Sequence, residues 1–323
     1  MLTRILQEQI QRNGPMPFRE FQNSALYHPQ FGYYRRGNDP FGIHGDFYTA
    51  EQLQPVFGML IERVVRRLAE SFSPLEPFQI VELGAGRCEM QPYLKQWNYT
   101  AIDNGFGQLP ETIRGVVFAN EFFDALPVSL VRRHGNQFIE VRVGWDGESF
   151  HFCETEPARD ELESYLTRHA PVVEDGGLIE IHLDAVDWID RLGFKIEEGF
   201  VFIIDYGFNE RERLRFPEGT LMSYWRHQAM EDVLTAPGTR DITSHVPFTV
   251  ITREAEWRGF KAHPLQSLAQ LLLTAGEADH FDAVLNTGSV HQQQARRQQL
   301  KTLLYGMGET FRVLALEVKS KAE

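Results

Sequence analysis

"FQIVELGAGRCEM" occupies residues 78–90. Its first six residues are apolar apart from Gln79 and Glu82, the composition of a short buried strand. Glycines follow at 84 and 86, and then a segment predicted to be helical to about Trp97. A strand that turns through Gly-x-Gly into a helix begins a β-α unit. Gly84 and Gly86 let the backbone turn sharply and come close to a ligand. What this loop lacks narrows the ligand. A dinucleotide loop has a third glycine, but position 89 is a glutamate, whose charge would repel a pyrophosphate. The Gly-Lys-Ser/Thr of a phosphate-cradling loop is also missing.

Further strands are predicted at "YTAID" (99–103), "GVVFAN" (115–120), "GFVFIIDYG" (199–207) and "FRVLALEV" (311–318). Helices are predicted over 51–70, with Pro55 in the first turns, and over 248–258, 267–275 and 290–305. This alternation predicts parallel β-α units, which bind ligands at the carboxyl ends of their strands. Asp103, Asn120 and Asp205 are placed at such ends. Asp103 has two oxygens for the two hydroxyls of a ribose. A ribose-bearing ligand without phosphates, and with a positive charge that Glu82 and Glu121 would tolerate, fits S-adenosylmethionine. The expected cofactor contacts are Glu82, Gly84, Ala85 and Gly86 from the first unit, Asp103 and Asn104 from the second, and Asn120 and Glu121 from the third.

The chain has 323 residues, enough for one large domain or a core with a substantial insertion. A hydrophobic fraction of 42%, with 24 Phe, supplies a sizeable core. The net charge of -13 argues against a general nucleic-acid binder, which needs basic surface. Cys88 and Cys153 are the two cysteines, so neither a disulfide framework nor a CxxC metal site is expected, and no metal is called for. The N-terminal "MLTRILQEQIQRNGP" carries Leu2, Ile5, Leu6 and Ile10 on one helical face and shows no secretory cleavage pattern. No apolar stretch approaches membrane-spanning length. The simplest expectation is a cytoplasmic protein with no membrane or nucleic-acid partner. Elsewhere, 27–47 reads as a loop, 128–153 as a meander of extended segments, and 208–246 as an irregular insertion.

Seven segments, in order, carry a family resemblance: "HPQFGYY" (28–34), "GDFYTAEQLQPVFG" (45–58), "VELGAGRCEM" (81–90), "NEFFDALPV" (120–128), "DYG" (205–207), "GTLMSYWRH" (219–227) and "APGTRDITSHVPFT" (236–249). The chain resembles the MidA-like class I methyltransferases, which include the mitochondrial complex I assembly-factor arginine methyltransferases and bacterial relatives. The resemblance implies an α/β fold: a Rossmann-like class I methyltransferase core with a doubly wound, mostly parallel sheet. It implies an N-terminal helical or lid segment over 1–75 and a core over 76–323, with insertions at about 128–180 and 208–246. It also implies S-adenosyl-L-methionine as donor and a protein side chain, arginine in the characterised branch, as acceptor. A small-molecule N- or O-methyltransferase and a cofactor-binding assembly factor with little catalysis are the alternatives. The pattern departs from the family's at Gln52, where a glutamate is usual, at Cys88, where a glycine is usual, and at Pro247, where an aspartate is usual.

Glu121 and Asp124 form the natural carboxylate pair for a cationic acceptor, provided the chain turns helically after Asn120 and brings them to one face. His245 titrates near neutral pH and is a candidate base; Asp241, four residues earlier, meets it if the segment is helical. Asp46, beside Gly45, is expected near the methionine amino group. Phe31, Tyr33 and Tyr34 are expected to form a lid or to pack on the core.

Overall fold

The computed structural model describes residues 1–35, 42, 45–46, 49–73 and 76–319. Contacts group the chain into two compact units. One comprises Thr49–Phe123, Ile189–Gly207 and Thr252–Glu323, the other Met1–Tyr48, Asp124–Trp188 and Phe208–Ile251. The division therefore falls near residue 48, whereas the sequence reading put it at 75, a residue outside the described set. The N-terminal helices group with the two segments read as insertions. Of the loop expected over 27–47, residues 36–41, 43, 44 and 47 lie outside the described residues.

The first unit is built on a large sheet. Six of its eight strands are β1 (Gln79–Leu83), β2 (Asn98–Ile102), β3 (Ile113–Asn120), β4 (Ile196–Phe208), β5 (Lys261–Ala262) and β6 (Phe311–Val318). They lie in the order β5-β6-β4-β3-β1-β2. β1 pairs in parallel with β2 and β3, and β3 in parallel with β4, while β6 runs antiparallel to β4. Near-continuous apolar runs such as Val116–Ala119 and Val201–Ile204 follow from burial on both faces. One face packs on the helix Val56–Ala69, through Val56, Phe57, Leu60, Ile61 and Val65, and on Leu268, Leu271 and Leu272 of the helix Leu268–Gly276.

Several predicted elements differ in extent. The helix after the glycine loop is only Gln91–Leu94, because Gly86 and Cys88 take positive φ values of 46° and 56° and delay its start. Between the helices predicted over 248–258 and 267–275, Lys261–Ala262 forms a two-residue strand. Asp205, expected at a strand end, lies inside β4, opposite Arg312 of β6.

The second unit has an antiparallel sheet in the order Met16–Pro17, Gln137–Trp145, Ser129–His134, Leu178–Ile181, with Phe150–Pro157 also paired to Gln137–Trp145. The helices Leu2–Asn13 and Phe18–Tyr27 bury Leu2, Leu6, Ile10, Phe18 and Phe21 with Leu130, Val141 and Val143. The segment 208–246 is not wholly irregular: Met222–Trp225, Gln228–Met230 and Asp241–Thr243 form a small sheet. Among the described residues, no helix is long and apolar enough to cross a membrane.

Gly115 of β3 pairs with Gly199 of β4, and both have a φ of 149°. A Cβ at Gly115 would lie 2.0 Å from the carbonyl oxygen of Gln79 in β1. Close inter-strand backbone is thus possible there only without a side chain. Gly115→Ala is expected to destabilise the protein by at least about 2 kcal/mol. Chemical denaturation checks it, and a loss under about 0.5 kcal/mol contradicts this role.

Candidate cofactor and active site

The parallel strands end beside the glycine loop. Gly84 and Ala85 both donate their N–H to the carbonyl of Ile102 at the end of β2, at 2.9 and 3.1 Å. Gly84 takes φ 71°, and a Cβ there would stand 2.9 Å from the ring of Phe122. Asp103 follows β2, and its carboxylate accepts the N–H of Gly86 at 2.5 Å and that of Asn104. The acidic residue expected to read a ribose therefore also fixes the loop. Both its oxygens keep accepting capacity, since a carboxylate has about four lone-pair sites.

The pleat decides which side chains converge next. Glu82 lies opposite Phe118, and side chains alternate, so Glu82, Phe118 and Asn120 share the face covered by the helix Val56–Ala69. Glu82 is fully buried. The hydroxyl of Tyr99 in β2 donates to its Oε2, while Oε1 has no hydrogen-bond partner among the described residues. Burial raises the Glu82 carboxyl to about 7, the Tyr99 bond pulls it down, and Asp103 and Glu89 add to the rise. Asn120 is 4% exposed; its amide donates to Glu121 Oε1 at 3.2 Å and its Oδ1 has no partner among the described residues.

Before that helix, Ala50–Gln52 forms a single 3-10 turn. The N–H of Ala50 donates to Glu121 Oε1 at 3.0 Å. Glu51 is buried here, and burial, reinforced by Glu82 and Glu121, raises its carboxyl well above the ordinary value. Both amide atoms of Gln52 are buried without a hydrogen-bond partner among the described residues. Sequence reasoning singled out Gln52 as a lost carboxylate and passed over Glu51. Adjacency was the available signal: a glutamate stands one position before the place where one is usual.

Glu121 has φ 51°, a left-handed conformation that a non-glycine residue adopts only when held. Its N–H donates to Ile204 O at 2.9 Å, and the N–H of Phe123 donates to Asp205 Oδ2 at 3.0 Å. Asp205 is thus the clamp of the turn, a role the sequence reading did not give it. Glu82, Gly84, Ala85, Gly86, Asp103, Asn104, Asn120 and Glu121 consequently share one unit.

Gly45, Asp46, Asp124 and His245 belong to the other unit. Gly45 closes a turn onto Gly42 O at 2.8 Å. Asp46 accepts the Tyr33 hydroxyl at 2.8 Å and the Arg226 N–H at 2.7 Å. Asp124 was expected to share a helical face with Glu121, but the left-handed Glu121 turns the chain out of a helix, and the Asp124 carbonyl accepts Ser244 N–H at 3.0 Å. The helical pairing of Asp241 with His245 is likewise corrected, because Asp241–Thr243 is a strand. Asp241 accepts the Tyr34 hydroxyl at 2.9 Å, and burial lifts its carboxyl to about 7. Tyr33 and Tyr34 accordingly pack in the core of this unit. Burial lowers the His245 imidazole below its ordinary value, opposed by Glu180. Glu180, whose Oε1 also accepts from Thr220, is a partner the sequence did not reveal.

The clustered acidic groups suit a cationic guest, and the oxygens of Glu82 and Asn120 that have no partner among the described residues suit hydrogen-bond donors. The residues therefore fit S-adenosylmethionine. Glu82, Asp103, the glycine loop and Asn120 would hold it. Among the described residues, no cluster of three or more His, Cys, Asp or Glu could hold a metal ion.

Comparison with known proteins agrees. A family model described as "Putative S-adenosyl-L-methionine-dependent methyltransferase" matches residues 91–265. The mitochondrial protein arginine methyltransferase NDUFAF7 homolog of Drosophila melanogaster is 27% identical over 321 residues, covering 80% of this chain and 70% of its own. Mitochondrial protein arginine methyltransferase NDUFAF7 of Rattus norvegicus is 26% identical over 385 residues, covering 98% and 84%. A COG1565 superfamily member from Burkholderia thailandensis, bound to S-adenosyl-homocysteine, superposes with a TM-score of 0.86 at 27% identity, covering 99% of this chain and 92% of its own. The expectation of a cytoplasmic protein is overturned by the curated relatives, which are mitochondrial by name.

Two predictions follow from the raised carboxyls and the loop anchor. A carboxyl with a folded value above its ordinary 4.5 binds more protons folded than unfolded, so its contribution is most favourable below that value and is lost as pH rises towards about 7. Glu82→Gln is therefore expected to stabilise the ligand-free protein by about 1–3 kcal/mol near pH 8 and by much less near pH 5. Thermal melts at the two values check this, and a gain independent of pH contradicts it. Asp103→Ala is expected to reduce S-adenosylhomocysteine affinity at least about a hundredfold, since it removes charge-assisted bonds and frees the loop. Calorimetry showing unchanged affinity would exclude Asp103 from the site.

Proposed function

The chain belongs to the S-adenosyl-L-methionine-dependent methyltransferase family matched over residues 91–265, and from that premise we propose that it methylates an arginine side chain of a protein. The curated relatives named as protein arginine methyltransferases support this acceptor. The single observation that carries the reading is the immobilised carboxylate of Glu121, fixed by Ala50 N–H and the Asn120 amide at the end of a central parallel strand. The parallel order with its antiparallel β6 is read as the Rossmann-like, doubly wound core of a class I methyltransferase.

S-adenosylmethionine supplies an electrophilic methyl on a cationic sulfur. The protein's share is alignment and exclusion of water. Alignment of reacting groups supplies about 7–11 kcal/mol of barrier reduction. A guanidinium arrives protonated, and deprotonating it beforehand at neutral pH costs roughly 7–9 kcal/mol. Glu121 is therefore assigned to hold the guanidinium and to accept its proton as the methyl is transferred, rather than before. Its held backbone keeps the carboxylate from swinging away, and Phe122 and Phe123, whose rings meet edge to face at 5.4 Å, wall the turn with apolar surface. Phe123 is fully buried.

Glu121→Gln keeps the shape and the hydrogen-bond acceptor for Ala50 but removes the charge. It is expected to lower methyl transfer at least about a hundredfold while changing S-adenosylhomocysteine affinity less than about threefold. Transfer of labelled methyl into proteins of a lysate, resolved by size and followed by identification of methylarginine, measures the first quantity. Label confined to small molecules contradicts the protein acceptor, and label on a residue other than arginine contradicts its identity.

A further inference from the structure

We propose that Glu51 is the residue by which this enzyme distinguishes its methyl donor from the product: its carboxylate, set among Glu82 and Glu121, favours a cationic sulfonium over an uncharged thioether. The inference rests on the cofactor site described above and extends it to a residue outside the expected set. S-adenosylmethionine and S-adenosylhomocysteine share adenine, ribose and the amino-acid end. They differ by one methyl group and one positive charge at sulfur. Hydrogen bonds from the glycine loop and Asp103 therefore hold both alike, and only charge near the sulfur separates them.

The fold places three carboxyls at this point. Glu82 comes from β1, Glu121 from the turn after β3, and Glu51 from the 3-10 turn that leads to the helix Val56–Ala69. Ala50, the residue before Glu51, is bonded directly to Glu121, which fixes the 3-10 turn against the end of β3. Glu51 is 8% exposed, and the side chains that act on it and on Glu82 are, apart from the Tyr99 hydroxyl, acidic ones. An isolated buried carboxylate is strongly disfavoured, so such a group takes up a proton or a cation. Two buried neighbours point to a ligand rather than to a proton alone. The Oε1 of fully buried Glu82 and the Oδ1 of Asn120, 4% exposed, both lack a donor among the described residues.

The other groups acting on Glu51 are Glu82 from the strand, Glu121 from the turn after β3, and Glu89 and Cys88 from the glycine loop. All are acidic, and all work against its ionisation. A sulfonium reverses the balance: it draws the proton off Glu51 and is then held by the carboxylate. The thioether product gives no such return. Glu82 is less suited to this discrimination because the Tyr99 hydroxyl is committed to it, and Glu121 because two protein donors already bind it. Product release would be favoured by the same residue that favours donor binding.

Calorimetric titration of both ligands into the wild type, Glu51→Gln and Glu51→Asp, near pH 6.5 and near pH 8, tests the assignment. The wild type is expected to prefer S-adenosylmethionine, by a margin that widens with pH as the carboxyls ionise. Glu51→Gln is expected to cut the preference about tenfold, equivalent to about 1.4 kcal/mol, through weaker donor binding, with product affinity changed less than about threefold. Its preference should no longer widen with pH to the same degree. Glu51→Asp keeps the charge but withdraws it, and should fall between the two; it also keeps the test decisive if the Gln variant does not fold. An unchanged preference in Glu51→Gln overturns the proposal, as does a parallel loss of both ligands, which would make Glu51 a shaping residue only. A wild type that binds neither ligand would overturn the cofactor site itself, a result distinct from either.

Discussion

Buried carboxyls gathered beside other acidic groups are the constraint around which the strand-end region is organised. Glu51 and Glu82 sit in apolar surroundings that penalise their ionised forms, and Glu82, Glu89 and Asp103 add like charge. A protein selected only for stability would place an arginine or an apolar side chain here. Keeping the carboxyls costs stability at neutral pH, a cost that a cationic guest bound beside them would offset. On the proposed reading, the same electrostatics that weakens the ligand-free protein becomes binding energy.

Backbone strain serves the same end. Glu121 is held at a left-handed φ by bonds from its own N–H to β4 and from Phe123 to Asp205. Because Asp205 is fully buried within the strand, its carboxylate cannot follow a relaxing turn. The glycine loop is fixed in a parallel way, by Ile102 O and by Asp103. Two loops at the ends of adjacent strands are therefore each tied to a neighbouring strand, and this makes the site a rigid one.

Much of this was legible in the residues. The strand–glycine–helix pattern at 79–94 and the apolar runs of β3, β4 and β6 gave strand positions within a few residues, because burial on both faces demands apolar sequence. Errors arose where a local rule was overridden. A helical spacing between Glu121 and Asp124 presupposed ordinary backbone, and only the bonds to β4 and Asp205 make the left-handed turn sustainable. The same presupposition paired Asp241 with His245, whereas Asp241 is claimed by Tyr34, a residue more than two hundred positions away in the chain.

By itself the sequence determined that strands would end in polar residues beside a glycine loop unsuited to phosphate, and hence that a ribose-bearing, cationic cofactor would be bound. Those conclusions depend on residue type and short-range order, which a linear chain displays. Tertiary structure alone decided which carboxylates meet. Glu51, read as part of an altered motif, is brought to Glu82 and Glu121 by the packing of a helix on a sheet, and Asp124 is assigned to a different unit from its near neighbour Glu121. The physical reason is that electrostatic energy depends on distance through space and on burial, and neither is written in the spacing along the chain.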